Sequence, residues 1–158
     1  MFKVRFYKDS KTVSTYNNKV TVVNLKGYMD IPYFWPFIPA EIHEWKDNHP
    51  NVIIDTEYCK GRIILNVTGK STCSSEDDFD FKRGERIAES RAKIALYKFM
   101  VTFLNKIIMH YKKFLFGDMD ILLPGLYKEG VYKYYCKYIQ YLETEWKHLN
   151  NLIHNQKD

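Results

Sequence analysis

Polar and apolar positions alternate from the first residues of the chain. In MFKVRFYK, Phe2, Val4 and Phe6 take one side while Lys3, Arg5 and Tyr7 take the other, the period of a strand with one buried face. TVSTY and KVTVVNL follow as two further β-prone runs. They flank Asn17-Asn18, a pair suited to a hairpin turn because Asn tolerates positive φ. YMDIPYFWPFIPAEIHEW then carries Pro32, Pro36 and Pro39, which exclude a continuous helix or a central strand. This dense aromatic segment reads as a loop folded onto a surface, either a lid over the core or the wall of a pocket or oligomer contact. NVIIDTEY and GRIILNVT, joined at Cys59-Lys60-Gly61, predict a second hairpin, and Gly69-Lys70 and a short strand STC lead into an acidic run.

After that run the period changes. From about Phe81 to Lys113 only Gly84 interrupts a helical pattern. Gly117, Pro124, Gly125 and Gly130 turn the chain, and a second helix over about 128–153 repeats Val131, Tyr135, Tyr138, Leu142, Leu149 and Leu152. The reading is an α+β fold in a single domain, 1–158: an N-terminal antiparallel β-sheet within 1–73, followed by two long helices at about 81–113 and 128–153.

At about 100° per residue, Gly84, Ile87, Ala88, Ile94 and Ala95 all fall near Arg91 on the first helix. Leu96, Met100, Phe103, Leu104, Ile107 and Tyr111 gather on the other side, so the apolar face is expected to move along the helix. Arg91 is expected in the middle of a sheet-facing stripe, with Lys98, Thr102 and Asn105 extending its line, and Lys82, Arg86 and Lys93 solvated opposite. A buried Arg needs a partner. Two readings stay open: an internal ion pair with Asp55, Glu57 or Asp80, or a pocket in which the guanidinium fork grips an anionic ligand. Asp80 reads as the N-cap, and the acids before it (Glu76, Asp77, Asp78) suit the positive end of the helix dipole. Capping accounts for them without a metal site.

Charge sharpens this picture. The net charge is +5, yet residues 82–113 alone carry 9 Lys/Arg against 2 Asp/Glu, a balance of +7, while the flanking segments carry −1 each. A nonspecific nucleic-acid coat would spread its charge more widely, so weak, salt-sensitive nucleic-acid binding is the most expected from it. Three widely spaced cysteines, Cys59, Cys73 and Cys136, fit neither a disulfide framework nor a zinc site. No apolar run reaches the roughly 18 residues of a membrane span, and residues 1–20 lack a signal-peptide pattern. A cytoplasmic protein is expected, and the sequon Asn66-Val67-Thr68 is then incidental.

Residues 58–93 resemble a family of small phage proteins. The shared pattern is a strand, a Gly-Lys-x-x-Cys element, an acidic D-x-F-D turn, then G-x-x-I-A-x-x-R-A opening a helix. Here it falls on Gly69, Lys70, Cys73, Asp77, Phe79, Asp80, Gly84, Ile87, Ala88, Arg91 and Ala92. The functionally characterised group most similar to it is the Thoeris anti-defence type of sequestering protein. In that group a sheet followed by helices assembles into an oligomer that traps a cyclic ADP-ribose signal. The resemblance implies a binding protein in the host cytoplasm that removes a small cyclic nucleotide signal without destroying it, with no cofactor and no enzymatic step. A homo-oligomer is expected on the residues too, because the moving apolar face of the first helix and the stripe of the second offer more apolar surface than one small sheet can cover.

Catalytic patterns are missing from the sequence. His43, His49, His110, His148 and His154 are scattered, and neither H-E-x-x-H nor a phosphate-gripping Gly-rich loop nor a nucleophile elbow occurs. A trap needs only a cation for phosphate and aromatic faces for a base. The expected ligand residues are Arg91, Lys98, Phe79, Tyr97 and Asn105. The competing class is a nucleic-acid or protein-partner module using the basic helix 82–113 through Lys82, Arg86 and Lys93, and a third is a structural phage component.

Overall fold

The computed structural model describes residues 6–31, 52–55, 61–73, 80–115 and 132–154. Strands β1 (Phe6–Tyr16), β2 (Val20–Ile31), β3 (Val52–Asp55) and β4 (Gly61–Thr72) form one antiparallel sheet in the order β1-β2-β4-β3. Helices α1 (Phe81–Leu115) and α2 (Tyr132–His154) follow. The α+β expectation therefore holds. Two boundaries differ from it. MFKVRFYK and TVSTY are expected as separate strands, but 6–16 is a single strand; residues 1–5 lie outside the described ones, as do the Pro-aromatic segment 32–39 and the turn region 116–131. Gly69-Lys70 and Ser71-Thr72 do not break from the previous strand. They complete β4, because Gly69 pairs with Val23 and Ser71 with Thr21 in unbroken register.

The β1–β2 hairpin turns at the expected residues. Asn17 and Asn18 have φ of 53° and 52°, the positive pair required by a primed hairpin turn, and Lys19 N–H donates to Tyr16 O at 3.0 Å. Alternation along the central strands then defines a buried face. Thr21, Val23, Leu25 and Met29 of β2 lie beside Leu65, Val67 and Ser71 of β4, and all are buried.

Helix α1 lies on that face through small residues spaced by four: Gly84, Ala88 and Ala92, the latter two fully buried. A Cβ on Gly69 would run into the backbone of Ala88 and Ala92, and one on Gly84 would stand 2.8 Å from Thr21 Oγ1. The helix thus seats close on the sheet, and larger residues (Leu96, Phe99, Met100, Phe103) fill the space farther along. Asp80 caps α1 as expected, its carboxylate accepting from Arg83 N–H at 3.1 Å.

The other side of α1 is occupied by α2. Arg83 donates to the carbonyls of Leu152 and Ile153 (both 3.3 Å), Ser90 donates to Glu145 Oε1 (2.7 Å), and Tyr97 meets Tyr138 with ring centroids 6.2 Å apart. From Arg83 to Ser90 to Tyr97, α1 advances seven residues at a time while α2 retreats by seven. That is the register of two antiparallel helices meeting in heptads. Layers run sheet, α1, α2. The expected single face that moves along the first helix is corrected: α1 is buried on two sides, with Ala88 and Ser90 about 200° apart around its axis.

Candidate functional site

Arg91 emerges from the seam between those two sides. Gly84, Ala88 and Ala92 beside it belong to the sheet contact, whereas Ser90 and Tyr97 belong to the α2 contact. The expectation that Arg91 is buried in a sheet-facing stripe is corrected on this point. Arg91 is exposed, and its guanidinium Nη1 donates to the carbonyl oxygen of Lys70 on β4 at 2.6 Å. A helix held near the sheet by glycine and alanine brings the next residue round within reach of a strand carbonyl, and a long cationic donor closes the gap. The expected ion-pair partners are not what it binds at this nitrogen: Asp80 serves the cap, Glu57 lies outside the described residues, and of Asp55 only the backbone is described.

Lys98, two turns beyond Arg91 on the same line, is exposed and holds Nζ 5.1 Å from the ring centroid of Trp146 on α2. Trp146 is itself 41% exposed, so part of the residue reaches solvent. Asn105 is exposed and continues the line. Tyr97 lies elsewhere. It is half-buried in the α1–α2 contact, 5.7 Å from the Tyr141 ring, and burial together with the charge of Glu145 pushes its hydroxyl pKa up. It is a packing residue of that contact and does not share the Arg91–Lys98 flank. Phe79 lies outside the described residues.

The opposite flank of α1 is not purely basic. Lys11 of β1 binds Glu85 at 3.0 Å and Glu89 at 2.7 Å, and Lys93 approaches Glu89 at 3.8 Å. Lys82 and Arg86 are exposed as expected, but Lys93 is half-buried against its acid, which corrects its expected full solvation. Arg83, counted with the basic segment, is drawn to the carbonyl end of α2, where a cation is favourable. The +7 of the segment is therefore divided among a helix cap, a strand–helix ion network and an exposed flank.

Trp146 is the residue that sequence reasoning misses. It is on the far helix, and only the antiparallel register of α1 and α2 brings it to Lys98. Among the described residues no group of three His, Cys, Asp or Glu side chains converges to hold a metal ion, and no helix is long and apolar enough to cross a membrane. Comparisons with protein-family models, with curated proteins and with solved structures find no match for this chain.

Proposed function

We propose that this protein binds and sequesters a small anionic nucleotide, of the cyclic ADP-ribose class, on the exposed flank of α1 without chemically altering it. One observation carries the reading: Arg91 and Lys98 stand two turns apart on a single exposed line, with Lys98 drawn over the part-exposed Trp146. A fork-shaped cation that never discharges suits a phosphate, a mobile ammonium can follow a second one, and an indole face accepts a base. The resemblance of residues 58–93 to the sequestering group supplies the ligand class and the expectation of a phage anti-defence role in the host cytoplasm.

Calorimetric titration with cyclic ADP-ribose tests the reading. Arg91→Ala is expected to weaken binding by about 1.5–3 kcal/mol, the worth of a hydrogen bond to a charged group, or roughly ten- to hundredfold in Kd. Trp146→Ala is expected to cost about 1–3 kcal/mol, the range for a base stacked on an aromatic ring. Arg91→Ala also gives up the bond to the Lys70 carbonyl, so a modest fall in melting temperature is expected for it without ligand, and the binding loss should exceed what that fall explains. Ligand released by heat should have its original mass. Loss of binding in Lys82→Glu/Arg86→Glu with the Arg91 variant unaffected would move the function to the other flank and to the nucleic-acid reading. No heat of binding with the wild-type protein, or a released product of altered mass, rejects sequestration.

A further inference from the structure

Alternation along β4 sends Gly69 and Ser71 toward α1, where both are buried, and sends Lys70 between them to the opposite face, where it is exposed. What Lys70 presents to Arg91 is therefore its backbone, and Nη1 donates to the Lys70 carbonyl at 2.6 Å. That carbonyl is turned away from β2. Cys73 N–H, three residues on, has the opposite sense and reaches the Lys19 carbonyl at 2.7 Å, so the even residues of this stretch leave their carbonyls to other donors.

The bond to Lys70 occupies one nitrogen of a planar fork. Among the described residues it is the one hydrogen bond that Arg91 makes, and no carboxylate pairs with the guanidinium. Nε–H and one N–H of Nη2 lie parallel along the edge that this bond leaves free, the pair that grips two oxygens at once. Gly69, Ala88 and Ala92 fix the distance from α1 to the strand, so the carbonyl holds the plane in one direction. We infer that the Lys70 carbonyl is a positioning group for Arg91, and that the Nε–Nη2 edge it orients reads the paired non-bridging oxygens of a phosphate. The site then selects by the shape of the anionic group as well as by its charge. The nucleotide carrying that phosphate rests on the function proposed above; the preference for a phosphate is a property of the oriented fork itself. A lysine in this place keeps the charge but is a point donor without a parallel pair. A fork already oriented also loses less freedom on binding than one the ligand must order.

Calorimetry with cyclic ADP-ribose and NMR with inorganic pyrophosphate test the two parts separately. Arg91→Lys is expected to weaken cyclic ADP-ribose binding at least about tenfold, close to the Arg91→Ala loss although the charge is retained. Lys70→Ala removes the ammonium on the far face and keeps the carbonyl, and it is expected to bind as the wild type does. The Arg91 Nε–H signal, identified by its absence from Arg91→Lys, is expected to shift as inorganic pyrophosphate is titrated. An Arg91→Lys variant that binds as tightly as the wild type overturns the inference. So does a Lys70→Ala variant that loses as much as Arg91→Ala, or an Nε–H signal unmoved by excess pyrophosphate. A wild type that takes up no cyclic ADP-ribose rejects the sequestration reading, and the pyrophosphate titration then decides this inference by itself: a shift supports it and no shift overturns it.

Discussion

Gly69 is the residue on which the helix–sheet distance depends most. It is buried on β4 directly beneath Ala88 and Ala92, and the atoms a Cβ would strike are backbone atoms that cannot rotate away. Gly69→Ala must lift α1 off the sheet or buckle the strand, and overpacking of this kind costs about 1–3 kcal/mol. Urea unfolding is expected to show that loss. Gly84→Ala, which meets mainly the Thr21 hydroxyl, should cost less, since it also removes about 1 kcal/mol of glycine's helix penalty. This assigns much of the G-x-x-I-A-x-x-R-A pattern to packing: Gly84, Ala88 and Ala92 seat the helix, and Arg91 ties the seam to the Lys70 carbonyl. The sequence contained that spacing, but not the direction of Arg91. A residue midway between two apolar sides of a helix looks, by angle alone, like the centre of one broad apolar face. Only the presence of a second helix on Ser90 and Tyr97 distinguishes the two arrangements, and that is tertiary information.

At the scale of elements, local chemistry was far more legible. The Asn17-Asn18 turn, the Asp80 cap and both helices follow from propensity and period, which act within a few residues. The union of β4 through Gly69 was not legible, because glycine usually marks a break in a strand and here marks a close approach. Equally hidden was the tie from β1 to α1. Lys11 reaches Glu85 and Glu89 across 74 and 78 residues of sequence. Burial tends to raise the Glu89 pKa, but the hydrogen bond and charge of Lys11, with Lys93 and Lys8, outweigh it and hold the carboxyl below its usual value. The Lys11 pKa is raised, chiefly by its hydrogen bond to Glu89. For a carboxyl held low in the folded state, the stabilisation is present above the unfolded pKa and disappears as pH falls through the folded one. Wild-type stability should therefore decline below about pH 4.3, the ordinary Glu value, and Lys11→Met should flatten that part of the decline. At neutral pH the substitution is expected to cost about 1 kcal/mol or less, as for partly exposed ion pairs. Urea midpoints measured from pH 3 to 7 on both proteins check the slope. An unchanged acid slope in the variant would remove the tie from any role in stability.

Over the whole molecule the three layers are unequally secured. α1 is buried against the sheet on one side and α2 on the other, while α2 packs chiefly on α1 and has only Tyr138 and Leu149 as buried residues. Among the described residues it is also held by the Tyr97 ring against Tyr138 and Tyr141, by the partly buried Tyr134 and Tyr135, and by polar contacts spaced along its length: Arg83 at its carbonyl end, Ser90 on Glu145, and the Tyr138 hydroxyl on β1. Local opening costs least where little apolar area is lost, so α2 should detach as a unit while the sheet and α1 remain paired. Native-state hydrogen exchange is expected to give one opening free energy for the amides of 138–152 and a higher one shared by β2, β4 and 88–104. Arg83→Ala sharpens the test, because the guanidinium donates to two carbonyls at the end of α2. It should lower the α2 opening free energy by about 1 kcal/mol, the scale of a cation at a helix carbonyl end, and leave protection in β2 and β4 unchanged. Equal loss of protection in all three layers would mean that they open as one, and that the contact between the helices is as strong as the one beneath it.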